Sequence, residues 1–104
     1  MKKILFVYCI LLFWACSSTL LRPTQRDADR AASAFPGVTL AELQQGRTLY
    51  EGQCGKCHAL KPLTSKDEAG WRKIVPIMAQ KAKIDSESEQ LVLQYVVTMS
   101  GAKR

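Results

Sequence analysis

The chain has 104 residues, enough for one small domain and too few for several. Its formal charge is +6, and Lys2 and Lys3 supply two of those charges, so the remainder carries +4. Acids and bases are interspersed with no Lys/Arg run, which gives little support to nucleic-acid binding and leaves room only for mild steering toward an acidic protein.

The chain opens Met1-Lys2-Lys3, followed by an uncharged apolar run over residues 4–14 and then Ala15-Cys16-Ser17-Ser18. Positive start, short apolar core and small residue are the order of a secretory signal peptide. The run is shorter than the roughly 20 apolar residues of a membrane span. Phe13-Trp14-Ala15-Cys16 resembles the lipobox of bacterial lipoproteins, which implies that Cys16 becomes the lipidated first residue after residues 1–15 are removed. Acyl chains there would hold the protein on the periplasmic side of a bacterial membrane. Ser17 after Cys16 permits sorting to the outer membrane and does not fix it. Ordinary cleavage, or an uncleaved anchor, is the competing reading.

Residues 16–36 read as lipidated N-terminus and linker. They lack a sustained apolar period, and Pro23 and Pro36-Gly37 break them, with room for a helix around residues 27–34. Residues 37–104 then form the domain. A chain this short buries little apolar surface alone, and a large apolar cofactor at its centre would relieve that.

Three helices are expected in the domain. The first starts at Thr39, where Thr39-Leu40-Ala41-Glu42 forms a capping box, and runs to about Gln53 with Leu43, Gly46 and Tyr50 on one stripe. The second starts near Thr64 or Ser65, has Asp67 and Glu68 in its first turn, and buries Trp71, Ile74 or Val75, and Met78. Pro76 lies inside it and is expected to kink it. The third starts at Asp85 or Ser86, with Ser86-Glu87-Ser88-Glu89 as a second capping box. Leu91, Val92, Tyr95, Val96 and Met99 form its apolar face, and Gly101 suits its end.

Cys54-Gly55-Lys56-Cys57-His58 carries the chemistry. Two cysteines separated by two residues match the spacing of the two haem vinyl groups, and the following histidine is placed under the iron. This is the attachment motif of a c-type haem. Attachment occurs outside the cytoplasm, in agreement with the export signal. The other cysteines have separate uses: Cys9 leaves with the signal and Cys16 takes lipid. A Cys54–Cys57 redox disulfide competes, but it would want a preceding strand, whereas an amphipathic helix stands there. A zinc site would need a fourth ligand, and residues 37–104 hold no other Cys or His.

His58 is the only histidine, so a second axial ligand from this chain would be methionine, Met78 or Met99. Met78 is the favoured one, because Pro76 could aim its segment at the iron. Met99 reads as core filler. An open, five-coordinate iron is the third option. A backbone carbonyl at or near Pro62 could accept the free ring N–H of His58. Trp71 reads as a haem-packing or core aromatic.

These residues resemble class I cytochromes c over residues 39–104. Gly46 and Tyr50 match the family's first-helix pattern, in which the terminal helices cross closely, with Tyr95 as the crossing partner. Trp71 and Met78 match the Trp-x6-Met pattern of a compact bacterial branch, which implies Met78 as axial ligand. The resemblance implies an all-α fold of about three to four helices around one covalent haem c, held by Cys54, Cys57, His58, Trp71 and Met78. It further implies one-electron transfer to redox partner proteins, by the chain alone or as a small subunit of a larger redox complex that carries a catalytic role; in the chain itself no acid–base pair suggests catalysis and no small-molecule substrate is evident. A five-coordinate haem sensor or gas-binding module is the alternative function. A haem peroxidase ranks last, since only Arg72, Lys73 and Gln80 offer distal polar groups.

Overall fold

The computed structural model describes residues 21–54 and 62–102. The expected signal peptide over residues 1–15, and Cys16, Cys57 and His58, lie outside those residues. Among the described residues the protein is all-helical: α1 Gln25–Ala31, α2 Leu40–Leu49, α3 Glu68–Ala82 and α4 Ser86–Ser100. No helix among them is long and apolar enough to cross a membrane.

The sequence sets each start by a capping side chain. At α2, Thr39 Oγ1 accepts from the Glu42 N–H at 3.1 Å, while Glu42 Oε1 accepts from the Thr39 N–H at 3.2 Å. The expected capping box is therefore formed. At α4 the cap is Asp85, whose carboxylate accepts from the Ser88 N–H at 2.7 Å; the box expected from Ser86 to Glu89 gives way to this stronger acceptor. These backbone and hydroxyl contacts with Ser88 hold the Asp85 carboxyl below its usual pKa. α3 begins at Glu68, behind Asp67, because a 3-10 turn over Leu63–Ser65 occupies the residues where an earlier start was expected. It continues through Pro76, whose side chain is exposed. It ends at Lys83 in the left-handed conformation, with φ at 56°. A non-glycine residue is uncommon there.

α4 is the centre of the molecule. α2 and α3 both pack on it, and α1 covers part of the remaining surface. Val92, Tyr95, Val96 and Met99 are buried as the periodicity predicts. Val97, Thr98 and Gln94 are buried as well, because α4 is enclosed from several sides.

The α2–α4 contact depends on Gly46. A Cβ at this position would collide with the Leu91 carbonyl oxygen and lie 2.8 Å from Tyr95 Cβ. Both are rigid groups of the facing helix, so no side-chain rotation would relieve the overlap. The crossing partner expected at Tyr95 is the one found.

Residues 21–36, read as linker, are packed on the body. α1 has its own capping box, from Thr24 and Asp27. Ala28, Ala31 and Phe35 are buried. Arg30 donates to the Thr98 carbonyl at 3.0 Å, and the Tyr95 hydroxyl donates to the Leu21 carbonyl at 2.7 Å. The Arg72 guanidinium lies over the Phe35 ring, 5.1 Å from its centroid, tying the end of this segment to α3. The apolar residues are too few and too irregular to show a period, but α1 packs on α4 and α2, and Phe35 meets Arg72 of α3.

Two outcomes follow. Gly46→Ala is expected to destabilise the fold by about 1–3 kcal/mol, read as a lower denaturant midpoint at unchanged slope. The packed N-terminal segment should resist protease. Trypsin should cut after Arg26 and Arg30 at least about tenfold more slowly than in a free peptide of the same sequence. Tyr95→Phe, which removes the hydrogen bond to Leu21, should speed that cutting, as mass spectrometry of timed digests would show.

Candidate functional site

Cys54, the first residue of the Cys-x-x-Cys-His motif, is placed by a change of helix type. α2 ends at Leu49, and Tyr50–Cys54 continue as a single π-helical turn. The wider turn rotates the side chains that follow relative to an unbroken α-helix. Such turns are rare, and they concentrate at functional positions. Periodicity predicted one α-helix to about Gln53 and did not reveal this turn.

The turn places Tyr50 inside and Cys54 at the margin of the core. Cys54 is a free thiol, and burial pushes its pKa up. Beside it stands a group of three aromatics. Tyr50 meets Trp71 edge-on at 6.0 Å between centroids and meets Tyr95 at 6.1 Å. The Trp71 indole N–H donates to the Leu63 carbonyl at 2.9 Å. That bond joins the 3-10 turn just after the motif to α3, and it satisfies the one polar atom of a buried side chain.

The two candidate methionines differ sharply. Met99 is completely buried, at 0% exposure, and fills the core between helices. Met78 is half-buried and packs against the core from its edge. Met78 keeps part of its side chain in solvent, whereas Met99 is enclosed by the protein. Pro62 is exposed, and its carbonyl accepts from the Ser65 N–H at 2.9 Å, closing the 3-10 turn. A role toward His58 would have to share that oxygen.

Among the described residues, the free thiol of Cys54 belongs to the same buried cluster as Tyr50, Trp71 and Tyr95, and the Met78 thioether packs against that cluster. Cys57 and His58, the other donors of the motif, lie outside the described residues. Among the described residues no three His, Cys, Asp or Glu side chains cluster as a metal site would require.

Compared with protein-family models, with curated proteins and with solved structures, the chain has no match. The class that the fold defines is a small all-helical protein. Its first and last long helices cross at a glycine, and a cysteine ends the π-helical turn that continues the first.

The buried tyrosines give the site a pH limit. Burial raises both Tyr50 and Tyr95 from 10.0 to about 12; the neighbouring Cys54 adds to the shift at Tyr50, while Arg47 opposes it at Tyr95. The folded state thus favours the neutral phenols. Their contribution is fully present below pH 10 and is lost as pH rises toward 12. Unfolding midpoints should be insensitive to these groups at neutral pH and fall across that alkaline window. Tyr95→Phe should be less stable at pH 7 but show a shallower alkaline decline.

Proposed function

We propose that the chain is a membrane-tethered, extracytoplasmic electron carrier holding one c-type haem through Cys54 and Cys57. His58 and Met78 would hold the iron, and lipid on Cys16 would anchor the protein. The observation that carries this reading is the placement of Cys54. The haem-attachment motif begins at the end of a π-turn on the margin of the aromatic core, directly after the helix that crosses α4 at Gly46. The export signal is an independent support, because it delivers the motif to the compartment where haem attachment occurs.

When bound, a c-type haem supplies a one-electron ferric/ferrous couple. The rest is done by the chain's own residues. Cys54 and Cys57 would hold the haem covalently, and His58, which follows directly in the chain, would ligate its iron. A thioether from Met78 as second ligand would raise the reduction potential relative to a nitrogen ligand. Tyr50 and Trp71 exclude water from the neighbouring core, and a dry surround disfavours the more highly charged oxidation state.

The packed N-terminal segment changes what a tether at Cys16 allows. A linker reaching from Cys16 to Pro36 would span up to about 70 Å when extended. With the chain held at Leu21, the five residue steps from Cys16 to Leu21 would span at most roughly 17 Å. Such a carrier stays close to its membrane and exchanges electrons with partners on the same surface.

The decisive measurement is the optical spectrum of the mature protein made with haem-attachment machinery. Covalent haem is expected, with an iron–methionine charge-transfer band in the ferric form that disappears in Met78→Ala and persists in Met99→Ala. Met99→Ala should instead destabilise the fold by about 2–5 kcal/mol through the cavity it leaves. A high-spin wild type that binds carbon monoxide readily would replace the carrier with the five-coordinate sensor. A protein without haem would return Cys54 and Cys57 to dithiol chemistry.

A further inference from the structure

α3 buries Trp71, Val75 and Ala79 and turns its other side outward. On that outer side stands Ile77, at 46% exposure the one strongly exposed large hydrophobic side chain among the described residues. Lys73 lies one helical turn before it and Lys81 one turn after it, so the three share a stripe. Ile77 and Ile74 also line a shallow cavity of about 670 Å³ with Lys66, Lys73, Ser65 and Ser100.

The charges of this face are unbalanced. Lys66, Lys73, Lys81 and Lys83 make no ion pair with any described residue, whereas Arg72 on the same helix is paired with Glu68 at 2.8 Å. The one acid lining the cavity, Asp67, is engaged in capping the helix, through a 2.9 Å hydrogen bond from the Gly70 N–H. An apolar side chain bordered by lysines that outnumber the one neighbouring acid has the anatomy of a protein interface: an anchor to be desolvated at the centre, and a charged rim that guides approach.

We propose that this face of α3, centred on Ile77 and bordered by Lys66, Lys73 and Lys81, docks an acidic protein that inserts an apolar side chain beside Ile74 and Ile77. The inference deepens the electron-carrier reading by naming where a partner sits. Concavity favours a protein over a lipid surface, because a protruding side chain fills a cavity that a flat bilayer leaves empty. The lysines complement acidic groups around that side chain and speed the encounter.

The test uses the full chain in its own cells, with the photo-crosslinker benzoylphenylalanine placed at Ile77 and, as a control, at exposed Gln90. The expected result is a protein adduct specific to position 77, attached through a peptide rich in Asp or Glu and lost when Lys73→Glu is added. Adducts with lipid alone, adducts shared with position 90, or adducts insensitive to Lys73→Glu would overturn the proposal. A second measurement follows reduction of the haem-loaded protein by membranes of the same organism. Lys73→Glu and Ile77→Ser should each slow it at least about tenfold at low salt, with the wild-type rate falling as salt rises. Reduction by a small neutral hydroquinone should be unchanged in both variants. Equal membrane-driven rates in wild type and variants would sink the docking site and leave the carrier reading intact. A position-specific acidic adduct on a protein that no reductant reduces would keep the docking site and sink the carrier.

Discussion

Gly46 lets α2 and α4 approach until the backbone of one meets the Leu91 carbonyl and the Tyr95 Cβ of the other. The remaining packing is arranged around that approach. With the helices so close, Tyr50, one turn after Gly46, is driven against Tyr95 and Trp71, and the three rings form the centre of the core. Cys54, one further turn along, arrives at the core's margin. The position of the candidate site is thus set several residues upstream of the motif itself. Moving the helices apart to admit a larger residue at 46 would displace the aromatic group, and with it the start of the Cys-x-x-Cys-His segment.

The same helix α4 that receives Gly46 also receives the N-terminal segment. Tyr95 performs both functions: its ring packs on Tyr50, and its hydroxyl holds the Leu21 carbonyl. Arg30 binds the Thr98 carbonyl one turn further on, and its pairing with buried Asp27 fixes that contact in place. The N-terminal segment and the candidate site are therefore mechanically linked through one residue.

Most of the long-range logic was legible in the sequence because it rests on local chemistry. Thr39 with Glu42 fixes the start of α2, and the spacing of Leu43, Gly46 and Tyr50 identifies the buried stripe. The close crossing at Gly46, with Tyr95 opposite, was implied by the family resemblance of the first helix, and the structure has it. Three features were not legible, each for a physical reason. The π-turn over Tyr50–Cys54 inserts an extra residue into a helix without altering composition. The docking of residues 21–36 depends on side chains from α3 and α4 far along the chain. The cap of α4 was legible only as a competition, which Asp85 wins over Ser86 because a carboxylate is the better acceptor.

The distinction between Met78 and Met99 shows why placement has to supplement motif. By sequence both are methionines on the apolar faces of helices, and helical spacing assigns both to the core. In the fold, Met99 lies on the helix enclosed from several sides, and Met78 on the one with an outer face. The outer side of that helix also carries Ile77 and the unpaired lysines. If Met78 holds the iron, the ligand and the proposed docking face belong to adjacent positions on one helix. Contact at Ile77 would then load the element that carries the sixth ligand, and a partner could alter the reduction potential by the same contact through which it docks.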